Sequence, residues 1–555
     1  MKTLYSSLLS LLRHKPLRAF LIAASLAACT PSELPKDPPV NNEDTSVMDT
    51  PVDTADVNDT PTYIGPIAEE DAFTAVRNMK VGWNLGNTLE SLWSGDTDGR
   101  NWKEWETGWG QAVTTPELMS MMKDAGFGAV RVPVSWGVHM DADGKVYDEW
   151  MDRVNEVVDY VVDAGLYCII NVHHDTGADE ELAWLVASPE CYAREKTRFE
   201  GLWTQIAERF RDYDQRLLFE SFNEMLDESR SWCYASMNLG YDESAAAGAY
   251  TAINDYAQCF VDVVRSTGGN NLVRNLVVNT YGACNGMGDW NDHLLDPLRN
   301  MKMPSDKVDD HIIFQVHSYP EIDDPYYMEA EVADMLDKLE LYLEPLGGPV
   351  IVGEWGTFTE NPSLEDYCHY ADFFVRETKK RGIGTFHWMG ISDGIFRSVP
   401  CFSEPEKTAA IVKAWHGEGF VPVIPVADDM TMMYSVRYRD LWSEANLCSG
   451  PVDLNIYKGI SFELDKIPAA CSLHVKIYGE EDGIEQYHKV DAVSVSIIFD
   501  SSESGSKAQR ITLQNCIEGG CSTVLKNVFL ERKDGTKESC YPSVFWGCSV
   551  DLIVL

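Results

Sequence analysis

Residues 115–134, TPELMSMMKDAGFGAVRVPV, contain one complete helix followed by one strand. Thr115 can cap a helix, Pro116 suits the first helical position, and Gly126 marks the point where the helix ends. Apolar residues recur at helical spacing before Gly126, whereas the run 129–134 is apolar on both faces. That second pattern is typical of a buried parallel strand. The stretch therefore predicts a helix packed against a strand inside a parallel sheet.

The same unit recurs from residue 65 to residue 416. Helical patterns over Asp148–Ala164 and Ser403–Trp415 are again followed by a glycine within two residues. Eight apolar runs alternate with helical patterns, at Lys80–Leu85, Ala129–Val134, Tyr167–Val172, Leu217–Phe222, Asn275–Thr280, Ile312–Val316, Val350–Gly353 and Ile383–His387. Eight strand–helix units predict an α/β fold, a (β/α)8 TIM barrel.

Polar and aromatic residues follow almost every predicted strand. In TIM barrels the carboxyl ends of the strands meet at one rim, and this rim carries the chemistry. We therefore expect one site built from the residues at these ends, namely Asn84, Arg131, His173, His174, Asn223, Glu224, His317, Tyr319, Glu354 and Trp388. Side chains alternate along a strand, so we expect only one of the two adjacent histidines to face the site.

Five motifs on these strand ends resemble glycoside hydrolase family 5. They are GWNLGNT (82–88), GFGAVRVPV (126–134), FNE (222–224), HSY (317–319) and VGEW (352–355). The resemblance covers residues 65–416 and is nearest to the subfamily numbered four. It departs from that pattern after strand eight, where this chain has FHWMGISDG at residues 386–394.

The resemblance implies a retaining glycosidase without a metal or a cofactor. It implies that Glu224 is the acid/base and Glu354 the nucleophile. The remaining matches to the active-site set of the family are Arg131, His173, Asn223, His317, Tyr319 and Trp388, and we add His174 and Asn84 as further substrate-binding candidates. Retention requires two carboxyl groups about 5–5.5 Å apart. A cation such as Arg131 would keep Glu354 ionised, and burial beside a charge would keep Glu224 protonated.

Charge and aromatic content indicate a neutral polymer as the substrate. The chain has 45 basic against 88 acidic residues and a net charge of −43, which excludes nucleic acid as an expected partner. Six tryptophans could extend a sugar-stacking cleft, namely Trp93, Trp102, Trp105, Trp109, Trp136 and Trp184. We expect an endo-acting enzyme on β-1,4-linked plant polysaccharide with a glucan backbone (cellulose-type, mixed-linkage glucan or xyloglucan). The alternatives are a xylanase, a mannanase, or a non-catalytic surface glycan-binding lipoprotein.

The first 64 residues indicate export. Residues 1–28 combine a basic start with a short apolar run and end in Leu-Ala-Ala before Cys29, which resembles a bacterial lipobox. We expect 1–28 to be a lipoprotein signal peptide and Cys29 the lipidation site, with an ordinary secretory signal as the alternative. Residues 29–64 are acidic and rich in Pro and Thr, which predicts a disordered tether. We expect a monomer in the bacterial cell envelope, lipid-anchored at the outer membrane or cell surface, with membrane contact only through the lipid.

The last part of the chain changes its hydrophobic period to two. Alternating runs such as 460–464 and 473–477, with an Asp-Gly turn at 534–535, predict an antiparallel sandwich that resembles a jelly roll. We expect the catalytic domain at 65–420, a linker with two prolines at 421–427, and the β-sandwich at 428–555, which either binds carbohydrate or is purely structural. Because the linker is expected to make few contacts, we expect the catalytic domain alone to cleave short oligosaccharides at close to the rate of the full-length chain. Six cysteines between Cys448 and Cys548 predict disulfides, with 15 possible pairings.

Overall fold

The computed structural model describes residues 63–68, 70–92, 101–109, 111–359, 362–388, 395–402, 404–426, 432–448, 451–469, 471–479, 484–499 and 507–554. The signal peptide, Cys29 and most of the tether therefore lie outside the described residues, as does Trp93. Within the described part of the chain, no helix is both long and apolar enough to cross a membrane.

Eight parallel strands form a closed barrel, in which each strand pairs with the next and β8 pairs with β1. The strands are β1 Val81–Asn84, β2 Ala129–Val132, β3 Tyr167–Asn171, β4 Leu217–Glu220, β5 Leu276–Asn279, β6 Ile312–Ser318, β7 Val350–Trp355 and β8 Gly384–His387. This confirms the predicted barrel. Strands β6 and β7 run further than expected, so His317 and Glu354 belong to the strands themselves.

Helices surround the barrel, and the three whose starts were predicted begin at Pro116, at Asp148 and, two residues later than expected, at Pro405. They are α1 Ala72–Met79, α2 Trp102–Glu106, α3 Pro116–Ala125, α4 Asp148–Asp163, α5 Pro189–Arg209, α6 Glu243–Ser266, α7 Asp296–Arg299, α8 Pro325–Tyr342, α9 Leu364–Lys380 and α10 Pro405–His416. Short 3-10 helices lie in the connections, at Gly137–His139, Met237–Leu239, Gly269–Leu272, Tyr281–Ala283, Asp292–Leu295 and Glu344–Leu346. Helix α3 ends as its sequence predicts, with Gly126 in the left-handed conformation at φ 112°.

One end of the barrel is closed by apolar packing. Ala72, Val76 and Met79 on α1 pack against a layer of inward-facing side chains from seven strands, Ala129, Ile169, Leu218, Val277, Ile313, Ile351 and Phe386. All of these side chains are buried. Since this end is filled, the polar strand ends gather at the opposite rim, which is where TIM barrels carry their sites.

The C-terminal part is all-β and confirms the predicted class. A six-stranded sheet has the order β17-β14-β20-β11-β23 with β21 paired to β20, and a five-stranded sheet has the order β16-β15-β19-β12-β22. The strands are β11 Met432–Tyr438, β12 Glu444–Asn446, β13 Val452–Asp453, β14 Tyr457–Leu464, β15 Leu473–Tyr478, β16 Ile484–Lys489, β17 Ser494–Ile498, β18 Lys507–Ala508, β19 Arg510–Asn515, β20 Cys521–Arg532, β21 Lys537–Ser539, β22 Ser543–Trp546 and β23 Cys548–Val554. One disulfide joins Cys471 to Cys521, which fixes one of the pairings left open by the sequence.

The connector between the two parts makes more contacts than its sequence suggested. The Val423 amide donates to the Asp124 carbonyl at the end of α3 (3.1 Å), and the Phe402 amide donates to the Pro425 carbonyl (2.8 Å). Phe402 belongs to a small hairpin of two strands, β9 Ile395–Phe396 and β10 Cys401–Phe402. The connector is therefore hydrogen-bonded to α3 and to the hairpin, whereas few contacts were expected for it.

Candidate active site

The polar residues expected at the rim do lie together there. Arg131 is fully buried and its guanidinium contacts residues from three other strand ends. It donates from Nη1 to Glu354 Oε1 (2.7 Å) and from Nη2 to Asn223 Oδ1 (2.7 Å). It also donates from Nη1 to Asn84 Oδ1 (3.1 Å). The guanidinium thus fixes the relative positions of β1, β4 and β7 at the barrel mouth.

Glu354 is held by donors on both carboxylate oxygens. Arg131 donates to Oε1, and the Tyr319 hydroxyl donates to Oε2 at 2.7 Å. His317 Nδ1 lies 3.5 Å from Oε2. Burial raises the pKa of Glu354, and the nearby His317, Arg131 and Tyr319 all oppose that rise. These donors favour the ionised form of this carboxyl group.

Glu224 has a different environment. Its Oε1 lies 2.7 Å from His317 Nδ1, and the side chain is 21% exposed, compared with 6% for Glu354. Burial raises the pKa of Glu224 to about 7, with Arg131 opposing and Glu220 adding to the rise. Burial also lowers the pKa of His317 to about 4, so this imidazole is neutral near pH 7. The two carboxyl groups thus have unequal environments, since a guanidinium and a hydroxyl group donate to Glu354, whereas burial raises the pKa of Glu224 to about 7.

The two carboxyl groups face each other across a short gap. One oxygen of Glu224, one nitrogen of His317 and one oxygen of Glu354 all lie within 4.8 Å of one another. Two carboxylates and an imidazole at this spacing could also bind a cation. We prefer an acid/base and nucleophile pair to a cation site, because hydrogen bonds between His317 and Glu224 and between Tyr319 and Glu354 already use oxygens of both carboxyl groups.

Glu220 is the main residue that the sequence analysis missed. It is fully buried at the end of β4 and accepts from Arg131 Nε (2.6 Å) and Nη2 (2.7 Å). Asn171 Nδ2 (3.0 Å) and Asn279 Nδ2 (3.3 Å) also donate to it. Arg131 lowers the pKa of Glu220 against the opposing effect of burial. The signal was present in the sequence, since Glu220 is the one charged residue within the mostly apolar run 217–222.

Both polar atoms of the Asn84 side chain make hydrogen bonds inside the barrel mouth. Its Nδ2 donates to the Gly353 carbonyl (2.9 Å) and to the carbonyls of Phe386 (3.2 Å) and His387 (3.3 Å). Its Oδ1 accepts from Arg131. Both ends of the amide therefore join β1 to β7, β8 and the guanidinium, and a contact of Asn84 with substrate stays a prediction.

Both adjacent histidines lie at the site, although strand alternation predicted only one. The rings of His173 and His174 contact each other edge to face at 4.5 Å. The reason is that β3 ends at Asn171, so the two histidines belong to the loop, where alternation no longer applies. Asn171 Nδ2 donates to His173 Nδ1 (3.0 Å), which places the His173 proton on Nε2, 4.0 Å from Glu354 Oε1.

Trp388 follows β8 and lies parallel to His173, with ring centroids 5.8 Å apart and an angle of 5° between the planes. The other tryptophans divide between the site and the core. Trp109 contacts His174 at 5.3 Å, whereas Trp105 and Trp136 are buried in the core. Trp102 and Trp184 stack under Arg153 and Arg198. Of the described candidates, Trp109 and Trp388 are the ones in ring contact with the two histidines of the site.

Comparison with known proteins agrees with this geometry. The family model described as cellulase, glycosyl hydrolase family 5, matches residues 93–394, more than half of the chain. A solved broad-specificity endoglucanase of family 5, subfamily 4, from an uncultured bacterium is 48% identical with a TM-score of 0.60. It aligns with 65% of this chain and 98% of its own. A family 5 enzyme from Prevotella bryantii in complex with a xyloglucan tetradecasaccharide is 39% identical with a TM-score of 0.56, over 63% of this chain and 100% of its own.

Among curated relatives, endoglucanase A of Clostridium longisporum is 33% identical over 348 residues. This alignment spans 59% of this chain and 61% of the relative. Another curated relative is matched over only 36% of its length. The chain thus spans less than two thirds of the length of these relatives.

Proposed function

The chain belongs to glycosyl hydrolase family 5, and we propose that it is a retaining, endo-acting glycoside hydrolase that cleaves β-1,4-linked glucan. The observation that carries this proposal is the pair Glu224 and Glu354, whose facing oxygens lie within 4.8 Å. That spacing is compatible with direct attack by a carboxylate, for which the two carboxyl groups lie about 5–5.5 Å apart. The two carboxyl groups also have the unequal environments that an acid and a nucleophile require.

In the first step Glu354 attacks the anomeric carbon as Glu224 protonates the leaving oxygen. The bond from the anomeric carbon to the glycosidic oxygen breaks, and a covalent glycosyl ester to Glu354 forms. Arg131 and Tyr319 hold the attacking carboxylate in one orientation. Removal of the proton leaves Glu224 anionic, and His317 Nδ1, 2.7 Å away, can donate to the new charge.

In the second step water displaces the Glu354 carboxylate from the anomeric carbon of the sugar. Glu224, now a carboxylate, takes a proton from water as the water oxygen attacks the anomeric carbon from the side that the leaving group vacated. The ester bond breaks, Glu354 recovers its charge, and the product keeps its β configuration. Because Arg131 occupies Asn223 Oδ1, the Nδ2 group is the end of this amide that can donate to the sugar 2-hydroxyl.

A glucan backbone is supported by relatives. The relatives include proteins named endoglucanase, and one neighbour was solved with a xyloglucan oligosaccharide bound. The 48% identity to a subfamily 4 structure supports placement in that subfamily. Xylan and mannan remain the alternatives, and a barrel without activity would make the protein a glycan-binding lipoprotein.

A polysaccharide panel with product analysis tests the proposal. We expect cleavage of mixed-linkage glucan, xyloglucan or soluble cellulose derivatives, with short oligosaccharides appearing early and the β-anomer formed first, as followed by NMR. Exclusive cleavage of xylan or mannan would change the substrate class, and initial release of the α-anomer would exclude the double displacement.

We also propose that the C-terminal domain binds glycan on the face of its five-stranded sheet that exposes Trp546 and Tyr487 on the two edge strands, while the side chains of Glu444, Gln514, Thr512 and Lys476 between them are buried. Strand pairing aligns two rows of side chains across this face. The first row consists of Trp546, Glu444, Gln514, His474 and Lys489. The second row consists of Ser543, Asn446, Thr512, Lys476 and Tyr487. Trp546 and Tyr487 are 46% and 48% exposed. Asn446 Oδ1 and Ser543 Oγ are buried without a hydrogen-bond partner. Aromatic rings beside such polar atoms suit the C–H faces and hydroxyl groups of a sugar.

This second site can be tested in a full-length chain that cannot turn over substrate. In a Glu354→Gly background, the double variant Tyr487→Ala and Trp546→Ala should show less retardation in affinity electrophoresis on glucan gels. Phe73→Ala is the matched control, because Phe73 is 41% exposed on α1 at the opposite end of the barrel. If the double variant and the control migrate equally, the C-terminal domain has a purely structural role.

For location, we propose an exported lipoprotein anchored through Cys29, based on the lipobox-like sequence before it. Two or three acyl chains would anchor the protein firmly, since one chain alone gives only marginal binding. Cys29→Ser should move the protein from the membrane to the soluble fraction. If labelled fatty acid never enters the wild-type chain, simple secretion is the correct account.

A further inference from the structure

The hairpin β9–β10 belongs to two hydrophobic cores at once. Ile395 and Phe402 pack into the core of the barrel. Phe396 and Cys401, with Val399 in the turn, pack into the core of the C-terminal domain. The ring of Phe396 lies 5.4 Å from that of Tyr434 on β11. Alternation of side chains along two short strands thus joins the two cores through one element.

The same hairpin sends Arg397 to the loop that follows β1. Arg397 is 4% exposed and donates from Nη1 to the Gly86 carbonyl at 2.8 Å. Its guanidinium also lies over the ring of Trp83, 5.0 Å from the centroid. A buried charge-assisted hydrogen bond combined with a cation–π contact fixes this carbonyl firmly.

Gly86 in turn lies directly against Trp388. A Cβ atom on Gly86 would come within 2.9 Å of Trp388 Cη2, so only glycine permits this approach. The loop is held from within by Glu90, which accepts from the Thr88 amide (2.9 Å) and from the Asn87 amide. Burial raises the pKa of Glu90, while these two amides and the charge of Arg397 oppose the rise. The surface that supports Trp388 is therefore set by Glu90 from the barrel and by Arg397 from the hairpin.

A second contact joins the C-terminal domain to the residue that precedes Trp109. Arg439, which follows β11, donates to the Gly108 carbonyl. Trp109 is the next residue, and its ring contacts His174. Its Nε1 donates to the Leu92 carbonyl (2.9 Å).

We propose that the C-terminal domain braces the substrate cleft and that Arg397 is a positioning residue for Trp388, acting through Gly86. The inference rests on the proposed glycan hydrolysis and deepens it. It assigns the domain a part in substrate affinity at the active site, independent of any glycan bound on its own sheet. The barrel would then not retain full activity without the domain, contrary to the expectation from the linker.

Full-length variants test this brace on short soluble β-1,4-gluco-oligosaccharides, which are too short to reach both domains. Arg397→Ala should raise KM by about tenfold, the size expected for one lost buried hydrogen bond to a charge, with a smaller change in kcat. Arg397→Lys should recover part of the loss, because an ammonium group can also donate to the Gly86 carbonyl.

The decisive pair of variants lies in the sandwich core. Phe396→Ala loosens the hairpin on the side facing Tyr434. Ile497→Ala makes a cavity in the same core on β17, three strands away from β11 in the sheet order. Both should lower the melting temperature of the domain, but only Phe396→Ala should raise KM. An equal KM change in both variants, or none in Arg397→Ala, overturns the proposal.

Hydrogen exchange of the peptide covering residues 81–92 provides a readout that needs no substrate. Exchange at residues 86–90 should become faster in Arg397→Ala and Phe396→Ala and stay unchanged in Ile497→Ala. Unchanged exchange in all variants refutes the brace even if the enzyme is active. A wild-type chain that cleaves no glucan refutes the proposed function instead, whatever the exchange shows.

Discussion

The barrel mouth and the proposed glycan-binding face of the five-stranded sheet both bury charged groups, but they arrange them differently. At the mouth, Arg131 meets Glu220 and Glu354, which are 89 and 223 residues away in sequence. On the sheet, Lys476 lies 3.3 Å from Glu444 only two strands away, and Tyr478 donates to the same carboxylate. Parallel strands of a closed barrel end at one rim, so their charges converge on one point. An antiparallel sheet spreads its side chains over a long, flat surface. The first arrangement suits chemistry, and the second suits binding.

The largest effect on turnover should come from substitutions at the barrel mouth. Glu354→Gly should lower turnover by about 10⁴-fold or more, because no other group can form the covalent intermediate. Added azide should restore cleavage of an activated aryl glycoside and give the glycosyl azide of inverted configuration. Glu224→Ala should keep activity on substrates with good leaving groups. Wild-type-like hydrolysis of polymer by either variant would contradict the roles assigned here.

Glu220→Gln compares the two buried charge pairs directly. Removing one partner leaves Arg131 without its bidentate acceptor, so we expect a loss of about 3–5 kcal/mol in the free energy of unfolding and a fall in kcat. The matched variant Glu444→Gln should reduce stability less and leave kcat on short oligosaccharides unchanged. Calorimetry and steady-state kinetics measure both quantities. If the two substitutions affect kcat equally, convergence at the mouth is not what distinguishes the two regions.

The next prediction concerns the disulfide of the C-terminal domain. Cys471 and Cys521 are separated by 50 residues, and breaking a loop of this kind should cost about 2–4 kcal/mol of unfolding free energy. Cys471→Ser should therefore lower the unfolding temperature of the C-terminal domain. Cys233→Ser, at a free cysteine of the barrel, serves as the control. Indistinguishable scans for the two variants would show that the bridge does not stabilise the domain.

The smallest effect concerns pH. Glu224 acts while protonated, and its pKa is raised to about 7 by burial. Activity should thus be present below pH 7 and fall about tenfold for each pH unit above it, as kcat/KM reports the free enzyme. An aryl glycoside with a good leaving group needs little protonation and should show a weaker decline. A decline that begins only above pH 9 for both substrates would assign the proton to another group.

The sequence by itself determined the barrel and the order of its motifs. Hydrophobic period and helix-ending glycines are local properties of the chain, so strands such as β2 and helices such as α3 follow from patterns of ten to twenty residues. The same local information placed Glu224 and Glu354 near the ends of β4 and β7, although β4 stops at Glu220 and β7 continues to Trp355. It also gave the change of period that marks the C-terminal sheets.

Only the tertiary structure decided which groups share a partner. Glu220 and Asn84 both bind Arg131, and no local pattern shows that one guanidinium contacts residues from the ends of three other strands. His174 reached the site because β3 stops two residues before His173, a boundary that depends on pairing with its neighbours. The hairpin 395–402 is divided between two cores, and neither core exists until distant strands have packed. Alternation and composition act along the chain, whereas burial and electrostatics depend on distances through space.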